Sequence, residues 1–167
     1  TITYWDEQRK GTNYFNEMPT EEWFVAARRA NIKFVRLVYE KWKGEERDFL
    51  LGNVDDYQGI IESDFKQLTH FLDYANQLDI KIVLTPISLP GARWIQMNNN
   101  ERDIRLWTDQ KYQQQAIRFW RDLAERLKDH PAIVGYNIMN APHPEMAYGK
   151  YSFWDGKLSE WYLGVEG

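Results

Sequence analysis

The sequence predicts an α/β fold built on a parallel sheet, of the (β/α)8-barrel type, of which this chain supplies about the first four βα units, a half-barrel. Three observations point there. Short apolar runs alternate with helix-length periodic segments in the order β-α-β-α-β-α-β. The links from helix to strand are minimal, whereas those from strand to helix are long. The first strand is not followed by a Gly-rich turn, and no P-loop pattern occurs, which argues against a doubly wound nucleotide binder.

The elements follow in order. A weak, polar first strand covers Thr12-Asn13-Tyr14-Phe15. A helix then follows Pro19-Thr20, with Thr20 as N-cap, Glu21 and Glu22 complementing the dipole, and Trp23, Ala27 and Ala30 on one face. The second strand, Phe34–Tyr39, and the third, Ile80–Thr85, are rich in β-branched and aromatic residues and too short for core helices. Between them a helix runs from about Ser63 to Leu78, with Phe65, Leu68, Leu72 and Ala75 at three- and four-residue spacing. The last helix starts near Thr108, buries Tyr112, Ala116, Phe119, Leu123 and Leu127, and stops at His130-Pro131. The fourth strand is Ile133–Met139, after which no helix emerges through Gly167.

The long connections, roughly Glu40–Glu62 and Pro86–Trp107, fall at the end of a parallel sheet where such folds keep their sites. They and the C-terminal segment also hold the surplus aromatics: Trp42, Trp94, Trp107, Trp154 and Trp161. Aromatic residues make up 16% of the 167 residues, including eight Trp and ten Tyr. Trp94, Trp42 and Trp154 are the candidate substrate-binding rings of these loops, able to stack on a flat apolar face; Trp23 and Trp120 lie on helices and belong to the core or outer layer.

Composition excludes other classes. A net charge of −4 leaves no basic face for nucleic acid or an anionic membrane, and no apolar run approaches the ~20 residues of a membrane span. No Cys is present, which removes disulfides and thiolate sites. Neither His70 nor His130 pairs with carboxylates at ligand spacing, so no metal and no other cofactor is expected. The chain starts at Thr1 with neither Met nor signal segment, which reads as a mature or trimmed product.

Candidate chemistry gathers at two places. Arg36 stands inside an apolar strand, where a charge demands a partner, expected to be a buried carboxylate. The stretch IVGYNIMNAPHPE begins as a buried strand and ends in polar residues and prolines, yet has Ala141 between Asn140 and Pro142. Strict alternation would put only one of Asn140 and Ala141 inside the barrel, so a local kink is expected there. His143 is a candidate substrate contact. Glu145 is the nearest spare carboxylate, better read as a solvated loop residue.

Four stretches then resemble glycoside hydrolase family 5, the cellulase-type retaining glycosidases on a (β/α)8 barrel. They are Gly11–Phe15, Phe34–Leu37, Leu89–Trp94 and, most specifically, Tyr136–His143. The resemblance implies that residues 1–167 form the N-terminal half of a catalytic domain and that Ala141 holds the place of the general acid/base Glu of an Asn-Glu-Pro motif. By the same resemblance Asn140 contacts the sugar 2-hydroxyl, and Arg36 orients a nucleophilic Glu on a seventh strand that this chain does not reach. The implied activity is cleavage of β-glycosidic bonds by two carboxylates. The chain as written is expected to be inactive. Asn140, Pro142 and His143 stand as in a working site, which favours an acid/base deleted from an active enzyme over a natural relative that lost catalysis. A non-catalytic carbohydrate-binding pseudoenzyme, or a half-barrel module assembling with a second chain, are the alternatives. The implied partners are a carbohydrate and a second polypeptide or segment completing the barrel; the implied location is secreted or periplasmic. One departure stands out: many members carry a His shortly after the third strand, where this chain has Ser88-Leu89-Pro90.

Overall fold

The computed structural model describes residues 4–15, 17–39 and 48–142. Within them, strands β1 (Gly11–Tyr14), β2 (Phe34–Val38), β3 (Lys81–Thr85) and β4 (Ile133–Tyr136) form one parallel sheet in the order β1-β2-β3-β4. Helix α1 (Glu21–Arg29) connects β1 to β2, and α2 (Glu62–Gln77) connects β2 to β3. A short α3 (Arg105–Thr108) and a long α4 (Gln110–Leu127) lead from β3 to β4. Each neighbour in the sheet is also the next strand in sequence, the winding of a partial (β/α)8 barrel.

Alternation along the strands separates two faces. Val35 and Leu37 of β2 and Ile82 and Leu84 of β3 are fully buried on the outer face. Phe24 of α1, Leu68 and Leu72 of α2, and Phe119 and Leu123 of α4 join them in one core. Burying each such side chain is worth about 1.5–3 kcal/mol. The inner face is mixed: Asn13, Arg36 and Val83 lie side by side across β1, β2 and β3, with Gly135 next on β4. Beneath them, Phe34 lies over Gly11, where an added Cβ would come within 2.2 Å of the ring. Trp5 packs edge-on to Phe34 and donates its indole N–H to the Val134 carbonyl (3.2 Å), so the N-terminal turn crosses beneath the sheet from β2 to β4.

Several local expectations need correction. Thr20 does cap α1, accepting from Trp23 N at 3.2 Å, but the buried face of that helix is Phe24 and Ala27. Trp23 is half-buried against Tyr14, and Ala30 is the exposed C-cap, because β1 is short and only the middle of α1 reaches the sheet. Thr108 ends a separate turn, and Asp109 caps α4 by accepting from Lys111 N at 2.8 Å. His130 lies beyond α4: its Nδ1 accepts from Ala132 N (3.2 Å) and its Nε2 faces Asp73 Oδ1 (3.0 Å), a structural turn lock. β4 ends at Tyr136, three residues early, after a register shift opposite Ile82 and Val83. The described part of the long loop after β2 is core rather than open surface, since Leu50, Leu51, Val54 and Tyr57 are all buried.

Candidate active site

The residues with chemistry collect at the C-terminal end of the sheet. Arg36 points inward from β2, and its partners are amides. Nε and Nη2 donate to Asn137 Oδ1 at 3.2 and 2.5 Å, Nη2 donates to Asn140 Oδ1 at 2.9 Å, and Nη1 reaches Asn13 Oδ1 at 3.5 Å. The expected carboxylate is not among its partners in the described residues. Neutral oxygens solvate a guanidinium but leave its charge uncompensated, and burial lowers the pKa of Arg36 from its ordinary value. The cluster therefore keeps a positive charge on the inner face of the sheet.

Asn140 reaches that cluster because the chain past β4 still follows β3. Asn137 N donates to Leu84 O at 2.9 Å, and Asn140 N to Pro86 O at 2.7 Å. The backbone departs from a strand where a kink was expected: Ala141 has φ 43°, the left-handed region that non-Gly residues rarely occupy. Asn140 can thus face Arg36 while Ala141 lines a neighbouring cleft of about 260 Å³. Trp94 and Trp107 line the same cleft, with Arg93, Arg102 and Asp103.

The loop after β3 is held rigidly. Gly91, with φ 73°, lies against the Tyr112 ring, where a Cβ would come within 2.5 Å. Asp103, its side chain 4% exposed, accepts from Arg93 N (3.1 Å) and from Arg105 Nε and Nη2 (both 2.8 Å). Burial alone would raise its pKa, but the hydrogen bonds from Arg105 and from the Arg93 and Arg105 backbone outweigh that and hold it low. Arg93 in turn donates to buried Asp48 at 3.1 and 3.3 Å, and this bonding raises its pKa, tying the two long loops together. Ser88, where the resemblance would place a His nearby, is buried and accepts from Trp94 N at 3.0 Å. Its hydroxyl fixes the Trp94 backbone.

Of the residues singled out from sequence, Arg36 and Asn140 are brought into contact, and Ala141 and Trp94 share the adjoining cleft. His143, Trp42 and Trp154 lie outside the described residues. Sequence reasoning missed Asn13 and Asn137. Alternation from Gly135 would have placed Asn137 on the inner face, three residues before Asn140.

A family model described as cellulase (glycosyl hydrolase family 5) matches residues 5–162. The chain belongs to glycosyl hydrolase family 5. The fold agrees. An endoglucanase of Pseudomonas stutzeri, solved with cellobiose, aligns with TM-score 0.55 and 25% identity over 86% of this chain and 39% of its own. A β-mannanase of the blue mussel Mytilus edulis aligns with TM-score 0.57 and 18% identity, over 82% of this chain and 41% of its own. An endocellulase of Pyrococcus horikoshii, in a complex with cellotetraose, gives TM-score 0.55 and 17% identity, over 94% and 46%. This family 5 chain therefore spans roughly two-fifths of the length of the solved structures it matches. A search of curated protein sequences gave no match.

Proposed function

We propose that this chain forms the N-terminal half of the catalytic domain of a retaining β-glycosidase, with Ala141 at the general acid/base position. The observation that carries the reading is the placement of Asn140 on Arg36 with Ala141 beside it on the cleft, at the end of β4. In a complete barrel a carboxylic acid at position 141 protonates the glycosidic oxygen as the bond breaks. A second carboxylate, about 5–5.5 Å away, attacks the sugar carbon and forms a glycosyl-enzyme; the first then takes a proton from water. Arg36 is suited to orient that second carboxylate, because its hydrogen bonds go to neutral amide oxygens beside the Phe15 ring and no carboxylate is among its partners in the described residues. Asn140 is suited to the sugar 2-hydroxyl, and Trp94 to stacking. Ala141 has no proton to give, and loss of a general acid lowers rates by about 10²–10⁴.

The test is Ala141→Glu in the complete eight-stranded barrel, assayed on neutral β-linked oligosaccharides. Hydrolysis should rise by two or more orders of magnitude. A folded protein that stays inactive would sink the acid/base assignment. A second reading, a carbohydrate-binding protein without turnover, is favoured by the methyl group at Ala141 in an otherwise formed cleft. It predicts oligosaccharide binding unaltered by position 141. That a second polypeptide supplies the remaining strands is also a proposal, and native mass spectrometry would detect such a partner in equal amount.

A further inference from the structure

The charges around the cleft are unequal in what they have left to offer. Arg93 is engaged by Asp48 and lies 3.7 Å from Asp55. Arg105 is engaged by Asp103, by Asp55 at 2.5 Å, and by the Tyr112 hydroxyl at 2.9 Å. Asp103 receives hydrogen bonds from two backbone N–H groups and from the Arg105 side chain. Arg102 differs. It lines the same cleft, is exposed to solvent, and has no hydrogen-bond or ion-pair partner among the described residues.

Its position is nonetheless built. Arg102 immediately precedes Asp103, whose carboxylate is bonded to the Arg93 backbone and to the Arg105 side chain within the connection after β3, so the backbone beside Arg102 is tied down. Trp94, Trp107, Ile95, Ile104 and Met139 line the same cleft and make most of its wall apolar. A flat apolar wall with one unengaged guanidinium fits a ring whose C–H face stacks and whose substituent carries a negative charge. Overall charge does not supply the attraction, since the chain carries −4. The preference is local to one side chain.

We infer that the cleft beside Ala141 is a subsite for an acidic sugar residue, its anionic substituent, carboxylate or sulfate, received by Arg102. This rests on the groove being a carbohydrate site. The test titrates the full chain calorimetrically with three oligosaccharides of one backbone: neutral, glucuronosyl-substituted and sulfated. The same titrations are run on Arg102→Gln and Arg102→Lys.

The acidic forms should bind about fivefold to tenfold tighter than the neutral one, as expected of a charge-assisted pair at a partly desolvated rim. That gap should close in Arg102→Gln, persist in part in Arg102→Lys, and shrink in about 0.5 M salt, where screening acts within about 4 Å. Affinity for the neutral form should change less than this gap does. Preference for the glucuronosyl over the sulfated form, or the reverse, tells which substituent the rim receives. Equal affinity for neutral and acidic forms, or a gap that survives Arg102→Gln, overturns the inference and leaves the glycosidase reading standing. Binding of none of the three overturns both.

Discussion

Arg36 and Asn137, 101 residues apart, are joined by two hydrogen bonds onto one amide oxygen, from Nε at 3.2 Å and Nη2 at 2.5 Å. The pair links the inner faces of β2 and the segment after β4, strands that are not neighbours. It thereby fixes the guanidinium that also holds Asn140.

Removing this support should be felt both in stability and in the site. Asn137→Ala leaves a half-buried guanidinium short of an acceptor, and losing hydrogen bonds to a charged group costs about 1.5–3 kcal/mol. Urea unfolding should show that loss, and the Arg36 Nε–H resonance should shift and exchange faster. An unchanged midpoint together with an unchanged Nε–H signal would mean that Asn13 and Asn140 suffice.

Acid should weaken the fold through Asp103. Its folded pKa lies below its unfolded value, so it stabilises the chain above about pH 4, and the contribution is lost as pH falls through the folded value. Asp103→Asn should therefore lower stability near neutrality by about 2 kcal/mol, the scale of hydrogen bonds to a charged group. The gap from the parent chain should narrow as pH drops from about 5 to 2. Denaturant midpoints at several pH values decide it: a constant gap would show that the carboxylate's charge is not what matters.

These two residues mark the boundary of what sequence made legible. β2 and β3 announce themselves by β-branched runs, and Thr20 by its place before Glu21 and Glu22. Parallel winding follows from the order of elements alone. Phe24 was hidden because α1 is only nine residues long, too short for its periodicity to separate Phe24 from Trp23. Leu50, Leu51, Val54 and Tyr57 carry no period, because they join the core from a loop with no regular repeat. At the site, the motif around Asn140 was readable, whereas the Asp48–Arg93 and Asp103–Arg105 pairs were not. Asp48 and Arg93, 45 residues apart, meet only through loop geometry, which local pattern does not encode, and Asp103 and Arg105, two residues apart, sit in a loop with no period to single them out.

Gly91 should prove the least replaceable of the loop glycines near the cleft. A Cβ there would meet Tyr112 Cγ at 2.5 Å on a backbone at φ 73°, and the ring cannot easily move because its hydroxyl is held by Arg105. Gly91→Ala should cost about 2–3 kcal/mol from strain and overpacking together. Gly135→Ala, whose nearest contact would be Val83 at 3.7 Å with no left-handed backbone, should stay within about 1 kcal/mol in this chain. Equal thermal shifts for the two would refute the steric account.

Ala141 joins conformational strain to the candidate chemistry. Its φ of 43° is a conformation that glycine adopts freely and that costs an L-residue about 1–2 kcal/mol. Ala141→Gly should therefore stabilise the chain, by up to about 1 kcal/mol once the greater freedom of glycine in the unfolded state is subtracted. Ala141→Glu should keep the strain and gain nothing in stability, whatever it does for turnover. Unfolding curves for the three side chains separate these effects from activity. If glycine proves no more stable than alanine, the kink is relaxed and position 141 is shaped by its neighbours alone. If glycine is the more stable and glutamate the only active variant, the strain is the cost of aiming a side chain at position 141 into the cleft.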